Sequence, residues 1–260
     1  MLMQPEGVPV VSLCGVRILA VTEAECVDLI LDALDEGRGG WVVTPNLDII
    51  RQSVQQPELA AMLARAEILV ADGMPLIWAS RLQGTPLPER VAGSNLISSL
   101  SAKAARRRRS LFMLGGDPGV AEQASQILTD RNPDLDIRGT YCPEFGFEKD
   151  PAQMDAIVEA VKASGADIVF VALGFPKSER LTEKIRGALP DAWWIGVGIS
   201  FSFLSGDVKR APPWMQRAGL EWVHRLQQEP GRLAKRYLVH DIPFAGRLFA
   251  SAARGRFKSE

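Results

Sequence analysis

The chain has 260 residues, 47% of them hydrophobic and 23% charged, with a formal net charge of −1. That is an ordinary globular composition; it excludes a disordered or fibrous chain and offers nucleic acid no overall attraction. Three unpatterned cysteines, Cys14, Cys26 and Cys142, argue for reduced thiols and against a disulfide framework or a zinc site.

Short β-rich apolar runs alternate with helical patterns along the chain. A helix is predicted over Glu23–Glu36, a strand over Trp41–Thr44, a helix over Pro57–Arg65 and a strand over Ile68–Ala71. Helix Gly93–Arg106, strand Ser110–Leu114, helix Gly119–Thr129 and strand Ile137–Tyr141 follow. Then come helix Pro151–Ala163, strand Ile168–Leu173, helix Ser178–Ala188 and strand Trp193–Val197. Continuous apolar strands separated by helices imply an α/β fold: a Rossmann-like parallel sheet covered by helices on both faces. Residues 1–205 are expected to form this core. Residues 206–260 are expected to form a basic, amphipathic, helical C-terminal appendage.

In such sheets ligands bind outside the carboxyl ends of the strands. That rule selects Thr44-Pro45-Asn46, Asp72-Gly73, Gly115-Gly116-Asp117, Gly174-Phe175-Pro176-Lys177 and Gly196-Val197-Gly198. Leu114-Gly115-Gly116-Asp117-Pro118-Gly119 lets backbone approach a phosphate at a helix start, but it also reads as a plain strand-to-helix turn. It does not fit G-x-G-x-x-G, so a dinucleotide site is not supported. Asp72 can act as a general base on a hydroxyl or cap the helix running through Ile77 and Trp78. Arg90 suits a diphosphate or is a solvated loop charge. Asp134-Leu135-Asp136 has the D-x-D form of a metal motif, but it lies at the amino end of a strand and reads as a surface turn. Arg106–Arg109 read as a solvated helix end. His224 and His240 lie in no metal-spaced pair.

The residues from Asp207 onward carry 11 Lys and Arg against 5 Asp and Glu, a surplus of +6 that leaves −7 elsewhere. Arg225, Arg232 and Arg236 are spaced seven and four apart, and Leu226, Leu233 and Tyr237 follow one residue later. Pro230 is expected to break this helix in two. Farther on, Phe244, Leu248 and Phe249 alternate with Arg247, Arg254, Arg256 and Lys258. Such a pattern suits an interfacial helix on anionic lipid or a packed helix pair with a solvated basic face. No apolar run reaches the roughly 18 residues of a spanning helix. The N-terminus lacks a basic region and Arg17 interrupts its apolar stretch, so no signal peptide is expected.

Several blocks, in order, resemble the WecG/TagA/CpsF glycosyltransferases: TPNLDII, VADGMPLIWASRLQG, PERVAGSNLI, LGGDPG, ALGFPKSE, GVGISFSFLSGDVKRAP and GLEWVHRLQQEPGRLAKRY. GVRILAVTEAECVDLI is also similar. The resemblance runs from about Gly15 to Tyr237.

It implies an inverting, metal-independent transferase with no cofactor. Such an enzyme moves a sugar from a UDP-sugar to a polyprenyl-diphosphate-linked sugar in the synthesis of surface polysaccharide or wall polymer. The implied location is cytoplasmic, peripheral on the inner face of the bacterial cell membrane. The implied partners are the donor, the lipid-linked acceptor and an anionic membrane surface, with no nucleic acid; a homo-oligomer is left open. Asp72 matches the family's proposed general base and Arg90 a residue assigned to the diphosphate. Thr44 and Asn46 match positions near the donor sugar. Gly115, Gly116, Gly174, Lys177, Ser178, Gly198, Ser202 and Arg210 lie in the matching blocks and are expected at the substrate. Arg225, Arg232 and Arg236 match a C-terminal appendage that helps close the site at the membrane, facing lipid or the acceptor diphosphate. Ser178 stands where the family commonly has Gln, and Ser202 where it commonly has Asp, which leaves donor specificity open. Two other readings of the same sheet are a UDP- or lipid-binding relative without turnover and a nucleotide-dependent oxidoreductase.

Overall fold

A computed structural model describes residues 7–256. It opens with two four-residue strands, β1 (Val10–Leu13) and β2 (Val16–Leu19), paired antiparallel. Cys14 and Gly15 make the turn between them with φ of 50° and 85°. Then follow α1 (Glu23–Asp35), β3 (Gly40–Val43), α2 (Leu47–Gln55), α3 (Pro57–Leu63), β4 (Ile68–Leu69), α4 (Met74–Gln83) and α5 (Gly93–Arg106). The middle of the chain gives β5 (Ser110–Gly115), α6 (Val120–Arg131), β6 (Asp136–Tyr141), α7 (Pro151–Ser164), β7 (Ile168–Ala172), α8 (Lys177–Ile185) and β8 (Trp193–Gly196). The C-terminal part is helical: α9 (Ser200–Ser205), α10 (Pro213–Arg217), α11 (Glu221–Gln228), α12 (Pro230–Ala234), a π-helical stretch Lys235–Asp241 and α13 (Ile242–Arg256).

The chain separates into two compact units. One takes Met1–Glu23, Thr44–Ala92 and Lys209–Glu260; the other takes Ala24–Val43 and Gly93–Val208. In the second unit five parallel strands lie side by side in the order β3–β8–β7–β5–β6. Every residue of β3, β5 and β7 is buried. Successive residues of a strand point to opposite faces, so unbroken burial means that both faces are covered. The expected α/β class is therefore observed. β6 has only exposed and half-buried residues, as an edge strand does. β3 and β8 meet where Gly40 faces Trp193; a Cβ on Gly40 would lie 2.7 Å from the indole ring, so glycine there makes room for the largest core side chain. Trp193 is itself anchored by Nε1 donating to the Arg38 carbonyl at 2.9 Å.

The first unit holds the hairpin, the buried two-residue strand β4 and helices from both ends of the chain. β2 lies against β4, and α13 packs along α4. Leu233, Tyr237, Phe244, Leu248 and Ala252 are buried, so one face of the C-terminal segment packs on its own protein. The break expected at Pro230 is present, with α11 ending at Gln228 and α12 starting at Pro230. Lys258 lies outside the described residues.

Two readings change. Arg107 and Arg109 are not a solvated helix end. Arg107 pairs with Asp32 at 2.6 Å and Asp35 at 2.8 Å, and Arg109 with Asp35 at 2.6 Å and Asp167 at 3.2 Å. They clamp the end of α5 to α1 and to the start of β7. Asp72 is not the cap of α4, whose N-cap is Gly73 at φ 135°.

Candidate active site

In the first unit three loops are stitched together by backbone. The Asp72 N–H donates to the Pro45 carbonyl at 2.9 Å, and the Val91 N–H donates to the Ala71 carbonyl at 2.9 Å. Thr44, Asn46, Asp72 and Arg90 are thereby gathered, although 46 residues separate the first from the last. Asn46 caps α2 by accepting from the Ile49 N–H at 3.1 Å, which fixes its side chain. Thr44 is buried at the end of β3. Gly73 carries a φ that side-chain-bearing residues rarely adopt, and a Cβ there would lie 3.8 Å from Pro75 Cδ and 3.9 Å from Asn46 Cβ. That bend turns the chain sharply after Asp72.

Around Asp72 the charges are arranged in alternation. Arg90 Nη1 lies 3.9 Å from Asp72 Oδ1 and donates to Glu221 Oε2 at 2.8 Å. Arg210 Nε lies 3.8 Å from Glu221 Oε1. Arg225 also acts on Asp72, and its Nε is buried without a hydrogen-bond partner among the described residues. Burial raises the Asp72 carboxyl from 3.8 to about 6; Glu221 pushes the same way, and Arg90, Arg210 and Arg225 oppose it. Burial likewise lowers the Arg210 guanidinium. The Asp72 side chain keeps 28% of its surface open, enough for a hydroxyl to reach it. A carboxylate titrating near 6 with one accessible face is equipped to remove a proton at neutral pH.

Glu221 was not evident from sequence. The only local signal was an acidic residue opening a basic helical segment, which reads equally as a favourable charge at a helix N-terminus.

The tail arginines differ among themselves. Arg225 faces the Asp72 group. Arg232 is exposed and pairs with Glu229. Arg236 Nε lies 3.1 Å from Asp48 Oδ2 and 3.5 Å from Asp241 Oδ2.

In the second unit the strand order reverses at β5, since β6 lies on one side of it and β7 on the other. Gly115-Gly116 and Gly174 follow those two strands at their carboxyl ends, the place where open sheets bind ligands. The Gly116 N–H donates to the Ala172 carbonyl at 2.8 Å. A Cβ on Gly115 would lie 2.7 Å from that same oxygen, and one on Gly116 3.2 Å from the Phe201 ring. Gly115 is thus needed for the close approach of the two strand ends, and Gly116 makes room for Phe201 of α9. Lys177 is exposed, pairs with Glu148 at 2.6 Å and lies 5.2 Å from the centre of the fully exposed Phe145 ring. Gly198 is exposed at φ 56°. Ser178 is different: its hydroxyl is buried, accepts from the Leu173 N–H at 3.0 Å and donates to the Val171 carbonyl at 3.4 Å. Ser202 is buried on α9, with its carbonyl accepting from Val208 N–H at 3.1 Å. Asp134-Leu135-Asp136 lies in a turn entering β6, and Asp136 pairs with Arg138.

The family model described as Glycosyl transferase WecG/TagA/CpsF matches residues 11–258. The chain belongs to the WecG/TagA/CpsF glycosyltransferase family. It is also 35% identical over 199 residues to an N-acetylglucosaminyldiphosphoundecaprenol N-acetyl-beta-D-mannosaminyltransferase of Bacillus spizizenii, covering 76% of this chain and 75% of the relative. As a family member it is a glycosyltransferase, and Asp72 and Arg90 fall inside the matched region. Among the described residues no helix is long and apolar enough to cross a membrane.

Proposed function

We propose that the chain is an inverting, metal-independent transferase that moves a sugar from a UDP-sugar to a sugar linked to polyprenyl diphosphate. The observation that carries this reading is the partly open Asp72 carboxyl, titrating near 6 among three arginines. Asp72 takes the proton from the acceptor hydroxyl as that oxygen bonds to the anomeric carbon. The bond from that carbon to the diphosphate oxygen breaks on the opposite face, and UDP departs with the electron pair. Arg90, Arg210 and Arg225 supply positive charge where the leaving group gains negative charge. In other enzymes loss of one such donor costs about 10²–10³ in rate. In the first unit, Thr44 and Asn46 face the donor sugar in this reading.

The relative's name supports the acceptor class, a sugar on undecaprenyl diphosphate, and names a β-linked product.

The C-terminal residues from 206 onward act as an appendage that meets the membrane. Trp214, Leu238, Val239 and Ile242 are each at least half exposed, beside exposed Arg217, Lys235 and Arg247. Apolar groups flanked by cations suit an anionic lipid surface. The acceptor would then be met at the inner face of the cell membrane. Arg232, which is exposed, reaches toward the acceptor diphosphate or lipid headgroups, while Arg236 anchors the segment through Asp48.

The test is a panel of UDP-sugars, UDP-N-acetylmannosamine included, with a short-chain lipid-diphosphate-N-acetylglucosamine acceptor, read by mass spectrometry. Wild type should form product with and without EDTA, and Asp72→Asn should not. No product with any donor, or equal rates in the two proteins, overturns the reading.

A further inference from the structure

We propose that Glu221 is a positioning residue for the transfer, its carboxylate on α11 aiming Arg90 and Arg210 beside Asp72. This rests on the function proposed above. The C-terminal segment would then complete the site with an acid as well as with arginines.

The geometry is specific. Glu221 has two oxygens and each meets a different cation. Oε2 accepts from Arg90 Nη1 at 2.8 Å, and Oε1 lies 3.8 Å from Arg210 Nε. The Arg90 and Glu221 side chains are about equally enclosed, at 15% and 16% exposure. A charge-assisted bond so shielded holds a planar guanidinium in one orientation far better than an exposed pair does. The atom of Arg90 that Glu221 holds is the one lying 3.9 Å from Asp72, so one nitrogen links the carboxylate that positions to the carboxylate that reacts.

Arg90 cannot neutralise both acids fully. While Glu221 holds it at hydrogen-bond distance, Asp72 has it only at ion-pair distance and stays the better base. Replacing Glu221 by an uncharged residue has two consequences with the same sign. The like charge beside Asp72 disappears, and Arg90 is released to turn toward Asp72. Both favour the Asp72 carboxylate and weaken its affinity for a proton. The charged groups acting on Asp72 are Arg90, Glu221, Arg210 and Arg225; Glu23 acts in addition on Arg90 and Arg210.

The experiment compares full-length wild type, Glu221→Gln and Glu221→Asp in two ways. Without substrate, the Asp72 carboxyl is titrated by ¹³C NMR and assigned through Asp72→Asn. With UDP-N-acetylmannosamine and the short-chain acceptor, kcat/KM is followed against pH. In Glu221→Gln the Asp72 midpoint and the acid limb of kcat/KM should both move to lower pH. The plateau should fall about 10- to 100-fold, the scale of a misplaced catalytic group. Glu221→Asp, which keeps the charge but shortens the reach, should restore the midpoint while recovering the rate only in part. Identical midpoints in all three proteins overturn the inference, as does a rate loss that follows only a lowered Tm with an unmoved acid limb. If wild type transfers no sugar the functional reading fails, and the NMR midpoints alone decide whether Glu221 holds Arg90 away from Asp72.

Discussion

Arg236 Nε lies 3.1 Å from Asp48 Oδ2, tying the π-helical stretch near the C-terminus to α2. Asp241 lies on the same arginine at 3.5 Å, and Arg51 closes the cluster by pairing with both acids. Two carboxylates, each with 8% of the side chain exposed, share two guanidiniums. Burial, and then the Asp48 charge, raise the Asp241 carboxyl.

Removing one cation from that cluster leaves two enclosed acids with one partner. Arg236→Ala should therefore destabilise the first unit by about 3 kcal/mol, the lower end for breaking a buried pair, because Arg236 itself is 30% exposed. Differential scanning calorimetry should show an unfolding transition lowered by roughly 6–12 °C. Asp48→Asn added to Arg236→Ala should recover part of the loss. An unchanged Tm would mean that the cluster adds nothing to stability.

As the proposed base, Asp72 would set activity against stability. Its folded value of about 6 is above the ordinary 3.8. A raised carboxyl gives stability that is fully present below the unfolded value and lost as pH rises through the folded one. Wild type thus loses up to roughly 3 kcal/mol from this group between about pH 4 and pH 7. Asp72→Asn escapes that loss, so it should be inactive yet more stable than wild type at pH 7.5. Thermal melts should show the advantage shrinking toward pH 4.

Glu179 behaves alike in the second unit. It is 5% exposed, its Oε2 has no hydrogen-bond partner among the described residues, and burial raises it from 4.5 to about 7. The sign is the same, so its stabilising effect is lost as pH rises through 7. Glu179→Gln keeps the volume and removes the charge. Its denaturation midpoint in urea should match wild type near pH 4 and exceed it at pH 8.5.

The exposed apolar residues of the π-helical stretch Lys235–Asp241 test the membrane proposal. Leu238→Glu combined with Val239→Glu should leave the fold intact, since both side chains are exposed. Co-sedimentation with vesicles containing phosphatidylglycerol should drop at least several-fold, while wild-type binding weakens as salt rises. Equal sedimentation of the two proteins would remove these residues from the membrane contact.

Much of the core was legible because it is written in local patterns. The unbroken apolar runs at Ser110–Leu114 and Ile168–Leu173 became fully buried parallel strands, and the helix Gly93–Arg106 has the bounds its periodicity predicts. The hairpin at Val10–Leu19 went unread because each strand has only four residues and the turn rests on Cys14 adopting φ 50°. α2 went unread because Thr44-Pro45-Asn46 looks like a strand end; Asn46 is in fact the cap from which the helix starts.

The sequence by itself determined the α/β class, the glycine-bearing strand ends and, through long ordered motifs, the family with Asp72 and Arg90 in it. These depend on side-chain period, turn chemistry and motif order, all of which are properties of neighbouring residues. Only the tertiary structure decided which charges meet. Glu221 reaches Arg90 from 131 positions away, and Arg236 reaches Asp48 across a still longer stretch of chain. In sequence each is one more charge on a polar helix face, because an ion pair depends on distance and enclosure in space. Those pairings bring the basic tail to the charges around Asp72 and make it part of what holds the unit together.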